Sequence, residues 1–212
     1  PWNWMRSIGA HMYRSTGDIV DTFASTADIA KSQIGKFNAN AAGCFNDMDM
    51  LIVGMHGNGN VGIGGCTDEQ YLQHFAMWAF LGSPLIIGAD IRKLDEVNKA
   101  ILLNQGLISI HQDADCRPPF VVGKVDGQKY ILAKLLSGNR VAIGFFNVDA
   151  KDDWVQIMSV SFDDLGIHSE CGMGLRLKDA VTGEDYGVFY DGYRLKIAPD
   201  QCRVLIGELV TR

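Results

Sequence analysis

Apolar positions along the chain fall into two textures. From Met5 to about Asp113, short apolar runs alternate with segments whose apolar residues recur at helical spacing. His11–Arg14 reads as a short strand. Asp21–Lys36 reads as a helix in which Phe23, Ala27, Ile29, Ala30, Gln33 and Ile34 share one face. Met50–Val53 reads as a buried strand, followed by a glycine-rich loop from Gly54 to Gly65. Thr67 and Gln70 stand at capping-box spacing, where hydroxyl and amide satisfy reciprocal backbone donors. They predict a helix through Leu81 with Tyr71, Phe75, Trp78 and Ala79 on one face. Pro84 breaks that helix, Leu85–Gly88 reads as another fully buried strand, Leu94–Leu103 as a helix and Leu107–Ile110 as extended. Continuous apolar strands separated by amphipathic helices predict a parallel α/β sheet buried on both faces. Whether it is doubly wound or part of a barrel stays open at this point.

After Cys116-Arg117-Pro118-Pro119 the pattern changes to short strands separated by turn signals: Asp126-Gly127, Ser137-Gly138-Asn139, Thr182-Gly183 and Asp191-Gly192. Tyr130–Leu136, Val141–Phe146, Val155–Phe162, Val188–Tyr190 and Tyr193–Ile197 fit antiparallel strands. The expected division is therefore residues 1–116 as an α/β part and 117–212 as an all-β module of small-sandwich size.

Composition narrows the picture. With 47% hydrophobic and 21% charged residues over 212 positions, the chain can bury a sizeable core and is not a disordered polymer. The longest apolar runs, Pro84–Ala89 and Met50–Gly54, fall far short of the roughly 20 residues of a membrane-crossing helix. A net charge of −6 with scattered basic residues gives no footprint for nucleic acid. Five cysteines at wide spacing, with no CxxC, argue against a zinc ribbon, a thioredoxin motif or a dense disulfide framework. The opening Pro1-Trp2-Asn3-Trp4 carries no initiator Met and no leader pattern, so the chain reads as the interior of something longer.

Four features could carry chemistry. Gly57-Asn58-Gly59-Asn60-Val61-Gly62 matches a dinucleotide fingerprint in letters, with Asp90 as a conceivable ribose ligand. The four residues Ile63–Cys66 before the Thr67 cap make the loop too long for glycine amides at a helix start to meet a pyrophosphate. His56, Cys66, His74, His111 and Cys44 lack the tight spacing of metal ligands, so scattered core or surface positions are the reading. Tyr13–Asp18 ends a strand, and spacing alone favours Asp18 or Asp21 as a cap of the next helix. Asn46-Asp47-Met48-Asp49-Met50 brings two carboxylates into a strand, where alternation would point Asp47 and Asp49 the same way. A solvated loop is the plain alternative.

Together, Tyr13–Ile19, Asn46–Leu51, His74–Ala79, Ser83–Arg92 and Ile110–Asp113 resemble the α-galactosidase/α-N-acetylgalactosaminidase family of retaining glycoside hydrolases, family 27. Two departures are visible: Met48 where the family usually has Pro, and Cys44-Phe45 where it has Gly-Trp. The resemblance implies a (β/α)8 barrel followed by an antiparallel β-sandwich, with Asp18 as general acid/base, Arg14 and Asp49 on sugar hydroxyls, Met50 lining the pocket, and no cofactor or metal. Barrel enzymes keep such residues at the carboxyl ends of strands. Two carboxyl groups about 5–5.5 Å apart give retention by double displacement.

A full barrel takes about 250 residues, and about half that precedes the β-rich part. The chain is thus expected to be the C-terminal portion of such an enzyme, a partial barrel plus sandwich. The family's nucleophilic aspartate and its sugar-selecting residues would lie upstream of Pro1. Exposed strand edges and uncovered apolar residues should follow. The implied partners are an α-galactoside oligosaccharide or glycoconjugate and the N-terminal half of the barrel, with no nucleic acid and no membrane; homo-oligomerisation is left open. The competing readings are a noncatalytic carbohydrate-binding or structural fragment, an α-N-acetylgalactosaminidase or related pyranosidase, and a nucleotide-dependent oxidoreductase using Gly57–Gly62.

Overall fold

The structure, a computed structural model, describes residues 1–36, 40–59, 61, 63–125, 127–149 and 154–212. Asn60 and Gly62 of the glycine-rich motif and Asp126 of the first turn signal lie outside the described residues.

The N-terminal part runs β1 (Met12–Arg14), α1 (Phe23–Gln33), β2 (Phe45–Asp47), α2 (Asp68–Leu81), α3 (Glu96–Leu102) and α4 (Gln105–His111). β1 and β2 pair in parallel with Arg14 beside Asp47. The next segment joins Ile87 by a single parallel bridge at Leu51. Leu51, Ile52 and Val53 are buried as the apolar run requires, but Ile86 and Ile87 are 49% and 43% exposed. Leu85–Gly88 is therefore not a fully buried strand. Its outer side meets no further strand among the described residues, which is how an open barrel edge behaves.

α1 starts two residues later than expected, because the Thr22 hydroxyl caps it by accepting from the Ser25 amide. Neither Asp18 nor Asp21 caps it. α2 opens on the complete Thr67–Gln70 capping box and closes at Gly82 in the left-handed conformation. Gln73 through Leu81 are all buried, so the expected single apolar face is instead burial all round. Leu107–Ile110 is helical rather than extended. The Asn104 side chain caps it by accepting from Leu107 N, and Leu107 and Ile110 bury one face at i, i+3 spacing. A four-residue apolar run has no period of its own to distinguish the two states.

The C-terminal part holds β3 (Phe120–Val125), β4 (Lys129–Leu136), β5 (Arg140–Asn147), β6 (Gln156–Ser161), β7 (Met173–Asp179), β8 (Asp185–Phe189), β9 (Gly192–Ile197) and β10 (Cys202–Thr211). Six form an antiparallel sheet in the order β3-β4-β5-β10-β7-β8, and β6 pairs with β9 in a second sheet. Asp191-Gly192 therefore joins two sheets rather than closing a hairpin. Ile131, Ala133, Val141, Ile143 and Phe145 fill the space between the sheets with Met158, Val160 and Ile197. The alternate residues Tyr130, Leu132, Leu136, Ala142 and Phe146 join the core shared with α2. The molecule is a partial (β/α)8 barrel followed by a β-sandwich.

The two parts are joined by polar clamps. Gln73 Nε2 donates to Asn147 O at 2.9 Å, and Asn104 Nδ2 donates to Val181 O at 2.9 Å. The buried Asp113 carboxylate accepts from Ser137 N and Oγ and from Arg140. α4 comes so close to the β7–β8 turn that a Cβ on Gly106 would overlap the Ala180 carbonyl. Gly106→Ala tests this junction. Its helix propensity favours the fold by about 1 kcal/mol, but a backbone carbonyl yields little, so a net loss of about 1–3 kcal/mol is expected. Urea unfolding should show a lower midpoint; an unchanged midpoint would mean that the turn can move aside.

Candidate active site

Parallel β1 and β2 end side by side, so the chains leaving Arg14 and Asp47 emerge at the same, carboxyl, end of the sheet. Ile19, 1% exposed, anchors the first of these loops in the core and leaves the Asp18 side chain 97% exposed in front of it. The second turns sharply. β2 stops at Asp47, whose carboxylate accepts from Asp49 N at 2.9 Å, and Asp49 itself takes a φ of +82°. The two aspartates are thus not alternate residues of one strand, as the spacing suggested. The left-handed backbone at a non-glycine position costs of order 1 kcal/mol and persists only where its surroundings fix it.

Several groups fix it. Asp49 Oδ2 accepts from Arg14 Nη2 at 2.6 Å and from Ile19 N at 2.7 Å, while Oδ1 accepts from Met50 N at 2.8 Å. The same Arg14 nitrogen reaches Asp18 Oδ1 at 3.1 Å and Gly17 O at 2.8 Å, and Arg14 Nε donates to Thr16 Oγ1. One guanidinium therefore gathers the two carboxylates singled out in the sequence. Met50 packs its thioether over Gly88, where a Cβ would collide with the sulfur.

Beneath this surface lies a polar layer that the sequence pattern does not announce. Ser15 Oγ lies 2.9 Å from Gln33 Oε1 and 2.7 Å from Asn46 Oδ1, and Asn46 Nδ2 donates to Gln33 Oε1. Gln33 belongs to this network rather than to an apolar face. Asp21 is fully buried; its carboxylate accepts from Gly57 N at 2.7 Å and from the Tyr71 hydroxyl at 2.8 Å. The Gly57 amide is thus spent on an internal carboxylate and not left for a phosphate. Gly57 and Gly65 approach so closely that a Cβ on either would press on backbone 3.0 Å away. Asp90 is held by Arg92 through two 2.8 Å contacts. Among the described residues, both features are engaged internally rather than open to a nucleotide.

The histidines and cysteines are dispersed. Cys44 is buried with Tyr13, His56 faces Asp95, and His111 Nε2 lies 2.8 Å from Ser83 O. Burial, with Asp21 nearby, pushes the Cys66 thiol up to about 12. His74 lies wholly inside α2's packing, where burial lowers its pKa to about 3. The ring is neutral, and its Nε2 accepts from Ile52 N at 3.1 Å.

With this geometry in hand, comparison with known proteins gives a consistent result. The family described as Alpha galactosidase A matches residues 3–113, and its C-terminal beta sandwich domain matches residues 126–206. The chain belongs to the α-galactosidase family. It is 33% identical over 174 residues to an α-galactosidase of Cyamopsis tetragonoloba, covering 79% of this chain and 38% of that protein. It is 36% identical over 147 residues to α-galactosidase 2 of Arabidopsis thaliana, covering 69% of this chain and 35% of that protein. A Bacteroides fragilis structure described as a candidate α-galactosidase/melibiase superimposes with a TM-score of 0.86 at 30% identity, covering 98% of this chain and 44% of that one. The chain spans less than half the length of each of these three proteins.

The neutral His74 makes stability depend on pH. Its pKa is about 3 in the folded chain and about 6.5 when unfolded, so only the unfolded state takes up its proton as pH falls below about 6.5. Stability should decline from pH 6.5 downward and level off near 3. His111, also shifted down by burial, adds in the same sense. In His74→Gln, whose amide oxygen can still accept from Ile52 N, the fall in melting temperature between pH 6.5 and 5 should be shallower than in wild type. Parallel curves would exclude this histidine as the source.

Proposed function

We propose that this polypeptide is the C-terminal portion of a retaining α-galactosidase that releases terminal α-linked galactose from oligosaccharides or glycoconjugates. In this reading Asp18 is the general acid/base, Arg14 and Asp49 hold sugar hydroxyls, and Met50 lines the sugar pocket. The division between barrel and sandwich falls at 116/117, giving parts 1–116 and 117–212. The nucleophile comes from the N-terminal half of the barrel, so the 212-residue chain by itself has little or no hydrolase activity.

The observation that carries the reading is the Arg14 guanidinium bridging Asp18 and Asp49 at the carboxyl end of β1 and β2. The exposed Asp18 carboxyl is free to approach the scissile oxygen. Protonated, it gives its proton to the departing alcohol while the nucleophilic carboxylate of the N-terminal barrel half attacks the anomeric carbon. Ionised, it takes a proton from the water that releases the sugar, so that configuration is retained. Asp49 is committed to backbone and Arg14 donors through both oxygens, which keeps it rigid; the lone pair left on Oδ1 can accept from a hydroxyl.

Two measurements test this. The 212-residue chain assayed with a chromogenic α-galactoside should turn over little or none; wild-type-like turnover would sink the incomplete-site reading. In the full-length enzyme, Asp18→Asn should lower turnover of substrates with poor leaving groups by about 10²–10⁴-fold. Activated aryl galactosides, which need less protonation, should lose far less in the glycosylation step. Equal losses in that step would argue against an acid role. Turnover of the N-acetylgalactosaminide in preference to the galactoside would move the assignment to the sister activity.

A further inference from the structure

The indole of Trp78 is buried in α2 at 0% exposure, yet its Nε1 donates to the backbone oxygen of Asp49 at 2.8 Å. One turn earlier on the same helix, His74 receives the Ile52 amide at 3.1 Å, and the two rings meet edge-on with centroids 4.1 Å apart. Helix α2 thus grips the segment 49–52 twice, on either side of Met50, from behind. The carbonyl gripped by Trp78 belongs to the residue whose φ is +82°, a backbone conformation that side-chain-bearing residues adopt uncommonly. That backbone turn aims the Asp49 carboxylate at Arg14 and Ile19 N.

We propose that Trp78 is a positioning residue for sugar binding: its indole N–H locks the Asp49 peptide in the left-handed conformation that presents the carboxylate to the substrate. The inference rests on the α-galactosidase reading for the role of Asp49. Trp78 itself reaches no substrate; it acts through the peptide. Losing the donor while keeping a ring leaves a buried carbonyl without its partner, and the strained peptide can relax toward ordinary φ values. The carboxylate then leaves its place. Because Asp49 would bind hydroxyls in both ground and transition states, the damage belongs in binding more than in turnover.

The test is steady-state kinetics of the full-length enzyme and its Trp78→Phe variant on a chromogenic α-galactoside, with galactose as competitive inhibitor. Trp78→Phe should raise KM and the galactose inhibition constant about tenfold, with kcat within about threefold. Phe80→Leu is the control. It loosens the same helix, where Phe80 stacks edge-on against Phe146, and should cost thermal stability while leaving both constants near wild type. Unchanged constants in Trp78→Phe, or an equal rise in Phe80→Leu, would overturn the proposal. Should Trp78→Phe fail to fold, indole hydrogen exchange in the unmodified 212-residue chain decides. Of its four tryptophans, Trp2, Trp4 and Trp154 are exposed. The Trp78 indole proton should exchange far more slowly than those of Trp2 and Trp4, whereas a Trp78 proton as fast as theirs would refute the bond. A full-length enzyme without turnover or galactose affinity would defeat the glycosidase reading instead, and the exchange result would still decide the bond.

Discussion

The constraint on which the rest depends is the enclosure of α2. A helix with no solvent face over Gln73–Leu81 must satisfy apolar neighbours on every side, and each side here has a different task. Toward the barrel, Trp78 and His74 hold the backbone of residues 49 and 52. Toward the sandwich, Phe80 meets Phe146 and Gln73 meets Asn147. The site and the β-rich part are therefore not independent modules on a linker. They share one core, in which Tyr130, Leu132 and Phe146 of the sheet pack with Leu51, Ile52 and Phe75.

That shared core explains which parts of the fold are legible in the sequence. α2, α3 and the β4–β5 hairpin carry strong local signals: a capping box, an Asp95 cap, and a Gly138-Asn139 turn with both residues at positive φ. The central strands β7 and β10 carry none comparable, and the apolar pattern does not single them out. Their neighbours are non-local, with Leu205 opposite both Ile143 and Asp179, so what defines them is pairing rather than alternation. Leu107–Ile110 fails for the complementary reason: β-branched isoleucines suggest a strand, while Asn104 and the packing surface decide for a helix.

The candidate site divides in the same way. Asp18, Arg14, Asp49 and Met50 are found through their ordered motifs, and the fold brings Asp18, Arg14 and Asp49 into contact. Their supports are Gln33, His74 and Trp78, residues that in a periodicity plot look like ordinary members of helices. Beyond the His74–Ala79 motif, the trace they leave is a polar side chain placed among apolar helix positions, as at His74. A buried polar group needs a partner, and the identity of that partner is set by the fold rather than by spacing.

The asymmetry of the Arg14 contacts fits the division of labour proposed for the two carboxylates. Asp49 is gripped at 2.6 Å by Arg14 and at 2.7 and 2.8 Å by two backbone amides, the geometry of a group that stays still. Asp18 has the longer 3.1 Å contact and an otherwise open surface. In the proposed reaction Asp18 must gain and lose a proton in each cycle, and every gain weakens its tie to Arg14. The guanidinium does not depend on that tie. Gly17 O, Thr16 Oγ1 and Asp49 hold it whatever the charge on Asp18. Proton cycling at Asp18 can therefore proceed without releasing Asp49 from Arg14.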